Sequence, residues 1–126
     1  MKINILKSKI KRSNLKEYSG DYFRDDSSQI VVFLNKEGKS ALFGIQKEEG
    51  IYTIVGKKSV YYSTIFSNPK EIPLSSFSEI LHQNALKRGK GVEFEFLQLN
   101  DNEDSVWLHN QETMNALWNI ILWING

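Results

Sequence analysis

The sequence predicts an α+β fold: an antiparallel sheet of roughly five to seven strands with two main helices, at about 76–88 and 111–124, packed on one face. Three observations lead there. The stretch Gln111–Trp123 repeats apolar side chains at helical spacing. The middle of the chain breaks into short apolar runs separated by turn residues. Between Pro73 and Gly89 a second helical pattern carries its own start and stop signals. A chain of 126 residues is long enough for one core and too short for two, so residues 1–126 are expected to form a single domain.

The C-terminal stretch organises the rest. Met114, Leu117, Trp118, Ile121 and Leu122 recur at i, i+3, i+4, i+7 and i+8. Ala116, Ile120, Trp123 and Ile124 widen that stripe until Asn115 and Asn119 remain as a narrow polar edge, which predicts burial on more than one side. Its thirteen residues fall short of the roughly 20 a membrane span needs. Each large side chain buried contributes about 1.5–3 kcal/mol before entropy, so this helix alone can anchor a small domain.

From the N-terminus, Ile3–Leu6 fits an edge strand or the entry to a helix. Ser13–Tyr22 reads as a short helix stopped by Gly20, and Asp25–Gln29 as a polar loop. Ile30–Leu34, apolar at every position, predicts a strand covered on both faces, with Asn35–Lys39 as a hairpin loop and Gly38 available for positive φ. Ala41–Gln46, Ile51–Val55 and Ser59–Phe66 continue the meander, with Val60, Tyr62, Thr64 and Phe66 on one face of the last and Tyr61 and Ile65 on the other. Asn68-Pro69 and Ile72-Pro73 are expected to end the sheet.

Ser76-Phe-Ser-Glu79 has the form of a capping box, opening a helix that buries Phe77, Ile80, Leu81, Ala85 and Leu86. Lys87 and Arg88 suit its negative end, with Gly89 as the stop. In Val92–Leu99, Val92, Phe94 and Phe96 are expected inward and Glu93 and Glu95 outward. An acidic turn leads to a short strand, Ser105–His109, after which Asn110 caps the final helix and Glu112 sits in its first turn.

Composition narrows the function classes. Zero cysteines exclude a disulfide framework, a thiol nucleophile and any Cys-ligated metal site. The start, MKINILKSKIKR, lacks a sufficient apolar run and a small-residue cleavage site, so no signal peptide and a cytoplasmic location are expected. A net charge of +1 hides a polarity. Residues 1–16 carry six cations (Lys2, Lys7, Lys9, Lys11, Arg12 and Lys16) and no acid. From Gly91 onward there is no Lys or Arg, against Glu93, Glu95, Asp101, Glu103, Asp104 and Glu112.

No catalytic or cofactor motif survives inspection. Gly38-Lys39-Ser40 resembles the end of a phosphate loop, but Phe33 stands where the first glycine belongs and a strand follows. Lys87-Arg-Gly-Lys-Gly91 sits at a helix C-terminus, where the dipole repels anions. His82 and His109 are the only imidazoles and lack partners at ligand spacing, and Ser40, Ser63 and Ser78 lack a nucleophile-elbow surround. The expectation is therefore no enzyme, no cofactor and no metal. The N-terminal cations interleave with aliphatics and without aromatics, which suits a solvated edge folding back on the acidic end better than a nucleic-acid arm. No membrane partner is expected.

The candidate site is the acidic segment Glu93, Glu95, Asp101, Glu103 and Asp104 with Trp107 and His109 beside it: outward carboxylates steer a cationic partner and an aromatic anchors it. Tyr52, Tyr61 and Tyr62 form a second aromatic set. On those acidic residues and Trp107, in a cysteine-free single domain, the chain resembles in general character the small cytoplasmic immunity proteins of bacterial toxin systems, including contact-dependent inhibition. The resemblance implies that the acidic surface plugs the substrate site of a cognate basic protein, a cationic nuclease toxin domain. The alternative is a small-ligand or nucleic-acid module, with a pocket between sheet and helices lined by Tyr61, Tyr62, Trp118 or His82, and the N-terminal lysines on phosphate.

Overall fold

Five strands lie side by side in chain order in one antiparallel sheet: β1 (Phe23–Arg24), β2 (Ala41–Glu48), β3 (Ile51–Gly56), β4 (Ser59–Thr64) and β5 (Ser67–Pro73). The computed structural model describes residues 2–64, 67–88, 95–99 and 105–126. Within them β6 (Phe96–Gln98) and β7 (Ser105–Trp107) form a separate antiparallel ribbon. The helices are α1 (Ile3–Arg12), α2 (Leu15–Ser19), α3 (Gln29–Lys36), α4 (Leu74–Arg88) and α5 (Gln111–Asn125). The α+β fold class is as the sequence predicts.

The meander forms because its turn residues fall between β-branched and aromatic runs, giving the register Val55↔Val60, Ile54↔Tyr61, Thr53↔Tyr62 and Tyr52↔Ser63. Alternation sends Val60 and Tyr62 into the main core, where α4 supplies Phe77 and Leu81 and α5 supplies Met114, Leu117, Ile120 and Ile121. Gly44 of β2 is a close-approach position, since a β-carbon there would lie 2.2 Å from the Thr53 carbonyl oxygen. Asn110 caps α5 through Oδ1, which accepts from the Thr113 N–H at 2.8 Å. The predicted stripe of α5 is buried, but Leu122 is 50% exposed and Trp118 and Trp123 are half-buried, so its second face is only partly covered.

Several expectations are corrected. Ile30–Leu34 is not a strand but the body of α3, an eight-residue helix that buries Val31 and Leu34 at i, i+3 spacing and leaves Phe33 in solvent. An apolar run that short carries no period of its own, and packing overrides its β-propensity. Asn35–Lys39 is accordingly the end of that helix and not a hairpin. Gly38 takes φ +88°, and the Lys39 N–H donates to the Leu34 carbonyl. Pro69 and Pro73 do not end the sheet but sit in its edge strand β5, where a missing N–H leaves no neighbour unpaired.

Helix α4 begins at Leu74, so Ser76–Glu79 lies inside it and forms no capping box. Ile3–Leu6 belongs to α1. In β6 the alternation is reversed: Phe96 is 37% exposed while Leu97 and Leu99 are buried. Val92, Phe94, the acidic turn, Ile65, Phe66, the Gly89 stop and the side chains of Ala85, Leu86, Lys87 and Arg88 lie outside the described residues.

Helix α3 covers the opposite face of the sheet, where Val31 and Leu34 pack with Ala41, Tyr52, Ile54 and Tyr61 in a second, smaller core. At about 1.5 Å per residue, eight residues make a helix of about 12 Å, so part of that face stays open.

Candidate functional site

Strand β2 runs out to Glu48 before turning into β3, which sets Lys47, Glu48, Glu49 and Gly50 in solvent at the hairpin tip. The Lys47 ammonium reaches Glu95, just before β6, at 2.7 Å. The same carboxylate oxygen accepts from the Trp107 indole N–H at 3.0 Å. The Glu95 carbonyl accepts from the N–H groups of Leu108 and His109, at 2.8 and 3.2 Å. Trp107 is fully buried, and its own carbonyl accepts a short hydrogen bond from the Thr53 hydroxyl on β3. Glu95 is therefore fixed from both sides by groups that pin the ribbon to the sheet.

Three rings meet beside it. Tyr22 packs edge-on to Trp107 at 5.2 Å and to His109 at 5.0 Å, and Trp107 and His109 lie 5.8 Å apart. His109 takes φ +69°, a left-handed conformation in which histidine is enriched, and this reverses the chain between β7 and the Asn110 cap. Of the predicted site residues, the fold brings Glu95, Trp107 and His109 together. Glu93, Asp101, Glu103 and Asp104 lie outside the described residues. Trp107, expected beside the carboxylates as a partner anchor, is instead buried as an internal support, while Glu95 faces outward as expected and pairs with Lys47.

Charge follows this geometry. The hydrogen bond from Lys47 holds the Glu95 carboxyl below its ordinary value of 4.5, with the Trp107 N–H adding to the effect, and it raises the Lys47 ammonium. A carboxyl depressed in the folded chain contributes stability above its ordinary value and loses it as pH falls through the lower, folded one. Thermal melts taken from pH 7 down to about pH 3 should therefore fall more steeply for the wild type than for Glu95→Gln. Identical slopes would mean that the Lys47–Glu95 contact does not persist in solution.

The sequence misses Lys47, Glu48, Glu49 and Tyr22. The signal available was the charged Lys47-Glu-Glu49 tip itself, read only as a loop. The N-terminal cations do not fold onto the acidic end in any described contact: Lys7 lies 3.9 Å from Asp26, and Lys9 stands over the Trp123 ring at 5.7 Å. The residues of the alternative pocket do not converge. Tyr61 and Tyr62 point to opposite faces of the sheet, and Trp118 donates to the Ser78 hydroxyl at 3.0 Å with His82 exposed nearby.

Among the described residues no three His, Asp or Glu side chains gather as metal ligands would, and no helix is long and apolar enough to cross a membrane. Against known proteins, no family model, no curated protein and no solved structure matches the chain.

Proposed function

We propose that the chain is a non-enzymatic protein-binding module of the immunity or inhibitor kind, acting in the cytoplasm. It neutralises a basic partner, a cationic toxin domain of the nuclease class, through an acidic surface. The observation that carries this reading is the pair Glu48 and Glu49, exposed at the hairpin tip next to Lys47, whose ammonium pairs with Glu95. Lys47 offsets one of these carboxylates and leaves the tip net negative. Glu93 adjoins Glu95 in the chain, and Asp101, Glu103 and Asp104 add further charge between β6 and β7. Fixed like charges of this kind steer a cationic partner and penalise an anionic one.

The buried Trp107 and the half-buried Tyr22 serve this reading as the support that holds Glu95 and His109 in place. The test is charge reversal at Glu48, Glu49, Asp101 and Asp104 to Lys. The expected result is a variant that melts near wild type and no longer binds the basic partner. Retained binding in a folded variant would contradict the acidic-surface reading.

A further inference from the structure

The face of the sheet that α3 leaves open holds a cleft of about 700 Å³, within the usual range for small-molecule sites. Its apolar wall comes from Ile30, Phe33 and Pro69 and its polar edge from Arg24, Glu48 and Tyr52. A smaller hollow of about 120 Å³ continues from it past Tyr52 and Pro69. Phe33 is 55% exposed at the rim. Tyr52 is 5% exposed, and its hydroxyl finds no hydrogen-bond partner among the described residues. The hydroxyl is open to the cleft and so available to a ligand there.

The cleft also carries charge of both signs. The Arg24 guanidinium is pinned in place: Nε donates to Gln46 Oε1 at 3.1 Å, and Nη1 donates to the carbonyls of Asp21 and Phe23 at 2.8 Å each. Its Nη2 makes none of the described hydrogen bonds, and no described carboxylate pairs with it. Glu48 lines the same cleft and forms no ion pair with Arg24 among the described contacts, so one molecule carrying both charges on neighbouring atoms can bridge the two.

We propose that this cleft binds a small zwitterion with an apolar body, of which an α-amino acid with a large aromatic or aliphatic side chain is the simplest member. The carboxylate accepts from Arg24 and from the Tyr52 hydroxyl, the ammonium pairs with Glu48 or Glu49, and the side chain lies against Phe33, Ile30 and Pro69. The cleft shares Glu48 and Glu49 with the acidic-surface reading but adds Arg24 and Tyr52, so Arg24→Gln and Tyr52→Phe, which leave those carboxylates in place, test it separately.

The experiment is an amide-resonance titration of the full chain with L-phenylalanine, L-leucine, 2-phenylethylamine and phenylacetate. At least one of the two amino acids should shift the resonances of Phe33, Gln46 and Tyr52 saturably. Its affinity should fall about tenfold or more when either charge is missing from the probe and about tenfold in Arg24→Gln. Tyr52→Phe, which removes a hydroxyl that makes no hydrogen bond among the described residues, should weaken binding severalfold without lowering the melting temperature. Absence of saturable shifts with both amino acids, shifts confined to other surfaces, equal binding of a singly charged probe, or unchanged affinity in both variants would each overturn the proposal.

Discussion

Trp107→Ala is expected to destabilise the protein by about 3–5 kcal/mol, the cost of removing a large aromatic from a packed interior. Trp107 is fully buried between the ribbon and the sheet, and its indole N–H is a second tie on Glu95 after Lys47. The substitution leaves a cavity, removes the edge-on contact with Tyr22 and frees the carboxylate on that side. Equilibrium denaturation should show the full loss. Trp107→Phe should recover part of it and, with Lys47 still on Glu95, keep most of the wild-type acid sensitivity. A loss below about 1 kcal/mol for Trp107→Ala would place the ring at the surface and return it to the role of partner anchor.

The second large effect is expected at Phe77, with Phe33 as its counterpart. Phe77 lies on α4, is fully buried, and shares the main core with Leu74, Leu81 and the α5 side chains. Its replacement by alanine should cost about 3–5 kcal/mol. Phe33→Ala, on the exposed side of α3, should change stability by no more than about 0.5 kcal/mol. Equal costs at the two positions would mean that α3 is covered in solution by something the single chain does not supply. Denaturation midpoints of the two variants, measured side by side, decide this.

These two phenylalanines also show what the sequence reveals and what it withholds. Phe77 is legible because it falls on a helix of several turns with apolar partners at regular spacing. Asn110 and the α5 stripe are legible for the same reason, since a cap followed by a long period leaves little else to fit. Phe33 is not legible. Within Ile30–Leu34 every side chain is apolar, so no period separates buried from exposed, and only the packing of Val31 and Leu34 onto β2 and β3 settles the helix and its face. The prolines of β5 mislead in a similar way, because their cost depends on whether a strand lies at an edge, which is a property of the sheet and not of the strand.

The candidate site was half legible. Glu95, Trp107 and His109 stand close in the chain, and their concentration at the acidic end is visible in composition alone. Their roles are not, because the decisive partner of Glu95 is Lys47, 48 residues away. Three-residue strands such as β6 and β7 are also too short for alternation to fix which side chain turns inward. The reversed parity at Phe96 and the burial of Trp107 follow from that. Arg24 and Phe33 escape for a further reason, and Tyr52 is legible only as one of three strand tyrosines: their cleft exists because α3 is a short helix that covers only part of its sheet face.

The most direct test of an acidic inhibitor is capture of its partner at low salt. The tagged full chain, and in parallel the variant with Glu48, Glu49, Asp101 and Asp104 changed to Lys, are passed through extracts of the cells that make the protein. Companions are identified by mass and isoelectric point. The acidic-surface account predicts one stoichiometric basic protein on the wild type, released by moderate salt and missing from a variant that melts like the wild type. Capture of no basic protein by the wild type, or equal retention of one by both chains, would contradict it.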